Sequence, residues 1–248
     1  MADIHVSNIP DFKTALQTAG AKVILDSDLD FNSTTISGTF ANVQAAEIDG
    51  QGHTIYNIQS ASSSPVFQAY TTAAILWHNI NFYNFLALGT GYLLSGYNVS
   101  NRNMKFSECK FQGKARRLFV YLSTSLSNPG VTKSAFNINN DCYFTDSAYT
   151  LSYFIFADSG NNFNTTDYIR AVDCYFSGDV RFQAATINTS ENARNVWNVH
   201  NLATTTPTLQ GTHQLYNSDR ATFSGGIPLT DSELKNRDAV AATGFPIL

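Results

Sequence analysis

A short alternation of apolar and polar residues occurs three times along the chain. In each copy an acidic residue precedes a cysteine, a long side chain follows it and a phenylalanine comes last: Glu108-Cys109-Lys110-Phe111, Asp141-Cys142-Tyr143-Phe144 and Asp173-Cys174-Tyr175-Phe176. In a β-strand the cysteine and the phenylalanine of one copy point to the same side, and the acidic residue points to the other. Cysteine and phenylalanine are among the most buried residue types, so their side is predicted to face the interior.

The pattern extends on both sides of the three copies. Ile80-Asn81-Phe82 matches upstream, and Trp197-Asn198-Val199 and Ala221-Thr222-Phe223 match downstream. A self-similar unit of 20 to 50 residues is typical of solenoids, in which each unit buries its face against its neighbours. The uneven spacing indicates coils with loops of different length rather than the four-stranded blades of a propeller.

A second apolar run follows each copy, at residues 118–122, 151–156 and 182–187. Each coil therefore has at least two short strands separated by a turn, and successive coils run in the same direction. The pattern predicts an all-β fold, a single-stranded parallel β-helix of about six or seven coils.

The two ends of the chain differ from this pattern. Residues from Ile9 to Gly20 carry Pro10 in the first turn and an apolar stripe, which predicts a short helix that caps the first coil. Near the C-terminus, Leu229 to Lys235 predicts a short capped helix. The expected organisation is a capping segment at 1–22, the β-helix at 23–225, and a tail at 226–248 that covers the last coil or docks on a partner.

The stretch from Glu47 to Ile58 connects the chain to a family. Its motif Ile48-Asp49-Gly50-Gln51-Gly52-His53-Thr54-Ile55 resembles the first full coil of right-handed parallel β-helix proteins of the pectate-lyase-like class. The segments that follow it resemble phage virion proteins of the tailspike type and bacterial surface proteins of this class. The resemblance implies a right-handed β-helix, with Ile48, Ile55 and Ile58 pointing inward, and a homotrimer. This fold hosts lyases, hydrolases, adhesins and virion spikes, so it does not by itself select a function.

Composition narrows the choice of partners. Charged residues are 14% of the chain, aromatic residues are 13%, and the net charge is −4. Such a surface argues against a nucleic-acid partner. No apolar run is long enough to insert into a membrane, and the N-terminus has no export signal. The expected location is a virion, assembled from protein made in the host cytoplasm, or otherwise the extracellular space or cell surface.

Few residues suggest chemistry. The Gly-His-Gly motif of polygalacturonase-like hydrolases is absent, because Thr54 follows Gly52-His53 where those enzymes have a second glycine. If the three copies stack in register, Glu108, Asp141 and Asp173 form an outer column in which neighbours lie about 5 Å apart. Such a column is a solvated ladder, or the catalytic carboxylates of a glycan-degrading enzyme, or a calcium site. We favour the ladder, and predict no cofactor and no metal ligands, with calcium as the alternative.

Aromatic residues form a second group of candidates. Trp77, Tyr83, Tyr143 and Tyr175 are predicted to make an exposed stripe that stacks on sugar rings or on another subunit, or else to stack across coils. The three cysteines occupy inward positions and are predicted to be buried free thiols.

Three functions are compatible with these observations. The first is a non-catalytic structural or receptor-binding β-helix of a bacteriophage particle, whose partners are identical subunits, other virion proteins and a host-surface polysaccharide. The second is a polysaccharide lyase or depolymerase that acts through Glu108, Asp141 and Asp173. The third is a fragment of a bacterial adhesin.

Overall fold

The computed structural model is a parallel β-solenoid closed by helices at both ends. It describes residues 1–60, 64–71, 73–87, 93–95, 104–115, 117–120, 131–132, 134–139, 153–156, 171–172, 174–180, 186–187, 194–201, 206, 208–209 and 213–245. Every strand pair among them is parallel, which confirms the predicted all-β solenoid.

Three long sheets form the faces of the solenoid. Sheet one contains seven strands in the order β1 (Asp3–Val6), β2 (Lys22–Leu25), β6 (Glu47–Asp49), β10 (Ile75–His78), β13 (Met104–Ser107), β16 (Val131–Thr132) and β19 (Ala171–Val172). The main path of sheet two contains β3 (Leu29–Asp30), β7 (Thr54–Tyr56), β11 (Asn81–Ala87), β14 (Lys110–Ala115), β17 (Ala135–Asn139), β20 (Cys174–Val180), β22 (Arg194–Asn201), β24 (His213–Asn217) and β25 (Ile227–Leu229). Two short strands lie off this path: β8 (Gln59–Ser60) pairs with β11, and β4 (Thr35–Ile36) pairs with β8.

Sheet three and one strand pair complete the cross-section. Sheet three contains β5 (Ala41–Val43), β9 (Phe67–Ala69), β12 (Leu94–Ser95), β15 (Arg117–Val120) and β18 (Tyr153–Phe156). Strands β21 (Thr186–Ile187) and β23 (Thr208–Leu209) pair separately. The number of stacked strands therefore differs from face to face and is not the uniform six or seven that the repeat predicted.

The interior follows the predicted alternation. Ile48, Ile55 and Ile58 are fully buried, and so are Phe111 and Phe176 from the repeated motif. Aromatic rings stack along the solenoid axis: the centroids of Phe82 and Phe111 lie 4.9 Å apart, and those of Phe176 and Trp197 lie 4.0 Å apart. Cys109 and Cys174 are buried free thiols, as predicted, whereas Cys142 lies outside the described residues.

The stacking register corrects two of the predicted repeats. Phe136 of β17, and not Phe144, pairs with Phe111 on one side and with Phe176 on the other. Phe176 pairs with Trp197, so the Trp197 copy is shifted by two residues from the predicted alignment. This shift leaves the inward residues unchanged, because side chains alternate with a period of two.

The last predicted copy forms no strand. Residues 221–223 lie outside the strands, and Trp197 pairs instead with Tyr216 of β24. Ala221 and Phe223 are nevertheless buried, and the Phe223 ring lies 5.3 Å from that of Tyr216. This segment therefore helps to cover the end of the core.

Helices occupy the two ends. Helix α1 (Ile9–Leu16) buries Phe12, Ala15 and Leu16 against the first coils, which confirms the predicted cap. Strand β1 lies within the predicted capping segment, and β25 continues the ladder beyond residue 225. The predicted C-terminal helix is α2 (Asp231–Leu234), which begins with a capping box between Thr230 and Glu233. It is followed by α3 (Arg237–Ala242), which the sequence pattern did not predict.

Candidate functional site

A polar groove crosses three successive coils where sheet one turns into sheet two. Its volume is about 490 Å³, and its described lining residues are Gln51, Gly52, Asn79, Asn81, Glu108 and Lys110. They come in pairs from the turns that precede β7, β11 and β14 and from the first residues of the last two strands. The groove therefore runs along the solenoid axis, on a parallel ladder whose spacing is about 4.8 Å per coil.

The backbone of these turns places the side chains at the rim of the groove. Gln51, Asn79 and Glu108 have positive φ values of 51°, 54° and 55°. This left-handed conformation bends the chain at the corner between two strands. It is most easily adopted by glycine and asparagine. Asn79 and Glu108 occupy equivalent positions in their coils, since His78 pairs with Ser107 and Asn81 pairs with Lys110.

Gly50 allows two of the turns to approach closely. A Cβ atom at this position would lie 2.3 Å from the carbonyl oxygen of Asn79 and 2.4 Å from Cγ1 of Ile80. The backbone N–H of Gly50 donates to the carbonyl of His78, and that of Gly52 donates to the carbonyl of Asn79. The Ile48 to Ile55 motif thus contributes one end of the groove, through Gln51 and Gly52.

The three amide side chains of the groove use their N–H groups within the protein. Gln51 Nε2 donates to Asp49 Oδ2 over 2.6 Å, and Asn81 Nδ2 donates to the carbonyl oxygen of Gly52 over 2.8 Å. Asn79 Nδ2 lies 3.2 Å from His78 Nδ1. The three side-chain amide oxygens make no hydrogen bond within the described part of the chain.

A cluster of charged side chains lies on the outer face of sheet one, next to the groove. Lys22 Nζ lies 2.8 Å from Glu47 Oε1 and 3.6 Å from Asp49 Oδ2. His78 Nε2 lies 3.0 Å from Glu47 Oε1. The hydrogen bond from Lys22, aided by His78, holds the pKa of Glu47 below its ordinary value against the opposing effect of partial burial.

Asp49 connects the cluster to the groove. Its side chain is 6% exposed and accepts hydrogen bonds from the backbone N–H and the side chain of Gln51. Burial acts to raise the pKa of Asp49, but the hydrogen bonds from Gln51 and the charges of His78 and Lys22 outweigh it and lower the pKa. The cluster therefore fixes both Gln51 and Asn79 through their neighbours.

Three residues of this cluster are the group, among the described residues, whose ligand atoms lie close enough together to hold one metal ion. One ligand atom each from Glu47, Asp49 and His78 lies within 4.8 Å of the others. The ammonium of Lys22 already pairs with both carboxylates and offsets one of their two negative charges. The arrangement is that of an ion-pair network. No role was predicted for His78. It lies 31 residues from Glu47 in sequence, and the two residues meet only because the coils stack.

The predicted acid column is only partly described. Glu108 is exposed and lies in the groove. Asp141 and Asp173 lie outside the described residues. In the described part of sheet two, β17 pairs with both β14 and β20. The stacking of the three acids in one column stays a prediction.

The predicted aromatic stripe is also revised. Trp77 is fully buried in the core, because it shares its side of β10 with Ile75, and it cannot contact a ligand on the surface. Tyr83 and Tyr175 are 49% and 42% exposed, but their strands β11 and β20 are separated by β14 and β17. Tyr143 lies outside the described residues. Tyr83 follows Asn81 by two positions on the same face and therefore flanks the groove, whereas Tyr175 accepts a hydrogen bond from Asn198 elsewhere on the sheet.

Comparisons of this chain with protein-family models, with curated proteins and with solved structures gave no match. Among the described helices, none has the length and apolar character needed to cross a membrane.

Proposed function

We propose that the protein is a non-catalytic, receptor-binding β-helix of a bacteriophage particle, and that it binds a bacterial surface polysaccharide in the groove. The observation that carries this proposal is the groove of about 490 Å³, lined by polar side chains from three coils. Its volume is within the range of ligand sites, and it is built on a hydrogen-bonded ladder rather than on long loops. Tyr83 at its flank is an exposed aromatic ring on which a sugar can stack.

Binding is favoured over catalysis by the number of carboxylates. Glycoside hydrolysis ordinarily needs two carboxyl groups that flank the scissile bond. Among the described residues that line the groove, Glu108 is the one carboxylate. Asp49 is nearby in sequence to Gln51, but it is buried and occupied by hydrogen bonds.

The exposure of the two C-terminal helices supports the proposal that the protein assembles with identical subunits or other virion proteins. Helices α2 and α3 are both capped, yet neither contains a buried residue. Helices this short are not stable on their own, so contacts with a partner would stabilise them. The trimer expected from the resemblance provides such a partner.

The proposal is tested by measuring the solution mass and glycan binding of the same preparation. Light scattering gives the oligomeric state, and isothermal titration with purified bacterial polysaccharides, with and without calcium, gives affinity. Chromatography of the recovered sugar then detects cleavage. An oligomer that binds a polysaccharide and leaves it intact is the expected result, and failure to bind any polysaccharide would remove the receptor-binding role.

A polysaccharide-degrading enzyme is the second candidate, and the position of Glu108 in the groove favours it. This candidate predicts that oligosaccharides are released and that Glu108→Gln abolishes the release while binding persists. Intact sugar with the wild-type protein would exclude it for the polymers tested.

A further inference from the structure

We infer that the groove selects glycans by their hydrogen-bond donors, and that its ligand is a neutral or amino-sugar chain rather than a polyuronate. This inference rests on the proposed function and specifies the class of polysaccharide. It depends on how Gln51, Asn79 and Asn81 are oriented, because a primary amide shows a ligand either its oxygen or its N–H groups.

Two of the amide orientations follow directly from their partners. Gln51 faces the carboxylate of Asp49, and Asn81 faces the backbone carbonyl of Gly52. An ionised carboxylate and a carbonyl can only accept hydrogen bonds, so each amide must turn its NH₂ group toward the protein. Their oxygens are thereby directed away from these partners and remain for the groove.

The orientation of Asn79 follows from its contact with His78. Nε2 of His78 lies 3.0 Å from Glu47, which holds the ring in place. The atom of the Asn79 side chain that faces the ring is Nδ2, 3.2 Å from Nδ1, so the amide oxygen is directed away from His78. The charged and polar groups that surround this ring are Glu47 and Asp49 on β6, Lys22 on β2, and Ser107 on β13.

Three acceptor oxygens therefore line a groove that spans three coils. Glu108 adds a carboxylate at the rim, and Lys110 is the cation among the described lining residues. Sugar hydroxyl and ammonium groups supply donors for these oxygens. A uronate replaces one hydroxyl donor of each sugar with a carboxylate, which only accepts hydrogen bonds.

The test uses three matched sets of soluble oligosaccharide probes. They are hexamers of glucose, mannose and galactose, the same hexamers oxidised at C6 to uronates, and the same hexamers with all hydroxyls O-methylated. Glucosamine hexamers are added as the amino-sugar probe. O-methylation keeps the ether oxygens but removes every donor, so it isolates the property that the inference invokes.

Variants connect the probe results to the groove. Asn81→Ala removes one acceptor, and Asn79→Gly removes another without strain, because glycine tolerates the positive φ of that turn. Each is expected to weaken binding of a neutral or amino-sugar hexamer about tenfold. Gln68→Ala is the matched control, since it removes an amide from sheet three, outside the groove, and should leave affinity unchanged. Thermal melting of each variant checks folding.

The outcomes distinguish a failure of this inference from a failure of the proposed glycan-binding function. Binding of a neutral or amino-sugar hexamer that is lost on O-methylation and weakened by both groove variants supports the inference. If uronates bind more tightly than neutral hexamers and Lys110→Met removes that binding, the inference is overturned while the glycan-binding function stands. O-methylated probes that bind as well as their parents also overturn the inference, and no binding by any probe or polysaccharide overturns both.

Discussion

The ammonium of Lys22 lies 2.8 Å from Oε1 of Glu47 and joins the second strand of sheet one to the third. Glu47 in turn accepts from His78 on the fourth strand, so one carboxylate connects three consecutive strands. The pair couples the end that carries helix α1 to the groove, and it makes stability depend on pH.

Acid should weaken the structure through Glu47. A carboxyl group with a lowered pKa in the folded state stabilises the protein above its unfolded pKa, and this contribution disappears as the pH falls through the folded value. The unfolded value is near 4.5. We therefore expect Glu47→Gln to melt below the wild type at neutral pH, and the difference to shrink as the pH falls below 4.5.

Thermal melting between pH 3 and pH 7 measures this effect. Asp3→Asn is the control, since Asp3 is exposed on the edge strand β1 and has no ion pair in the described part of the chain. A difference between wild type and Glu47→Gln that stays constant over the whole range would contradict the role of the ion pair.

Gly50→Ala should destabilise the protein and disturb the groove. The new methyl group would overlap the backbone of Asn79, which must move. Overpacking against backbone typically costs about 1 to 3 kcal/mol. Gly38→Ala is the matched control, because a Cβ at Gly38 meets no atom within 4 Å, and it should change stability by no more than about 0.5 kcal/mol. Urea unfolding checks both variants, and equal stability of the two would show that the Gly50 contact relaxes freely.

The thiol of Cys109 should be unreactive in the folded protein. Burial raises the pKa of Cys109 to about 12, so the nucleophilic thiolate is scarce near neutral pH. Maleimide labelling at pH 8 followed by peptide mass spectrometry should find Cys109 unmodified in buffer and modified in denaturant. Cys174 is also buried, so its labelling under the same conditions is compared with that of Cys109. Rapid labelling of Cys109 under native conditions would mean that the core opens easily at this coil.

The two tryptophans should respond differently to replacement by phenylalanine. Trp77 Nε1 is the buried side-chain polar atom without a hydrogen-bond partner in the described structure, whereas Trp197 Nε1 donates to Gln214 Oε1 over 2.9 Å. Trp77→Phe loses packing but removes an unpaired donor, while Trp197→Phe loses packing and a buried hydrogen bond. We expect Trp197→Phe to cost about 1 kcal/mol more than Trp77→Phe in urea unfolding. The reverse order would indicate that Trp77 Nε1 has a partner, such as a buried water.

Much of the fold could be predicted from local pattern alone. The alternation that placed Phe111 and Phe176 inside depends only on the period of a strand, and the cap predicted at Ile9 to Gly20 depends on neighbouring residues. The inward position of Trp77 follows from the same rule, since Ile75 lies two residues before it, so the predicted aromatic stripe conflicted with the alternation of this strand.

Only the tertiary structure decided which strands lie side by side. Alternation cannot distinguish Phe136 from Phe144 as the neighbour of Phe111, because both are compatible with an inward residue and the loop between coils can have almost any length at little entropic cost. The groove has the same origin: Gln51, Asn79 and Glu108 are far apart in sequence and differ in residue type. They meet because parallel pairing brings equivalent turns of successive coils to within about 5 Å, and that relation is a property of the stacked coils rather than of any single segment.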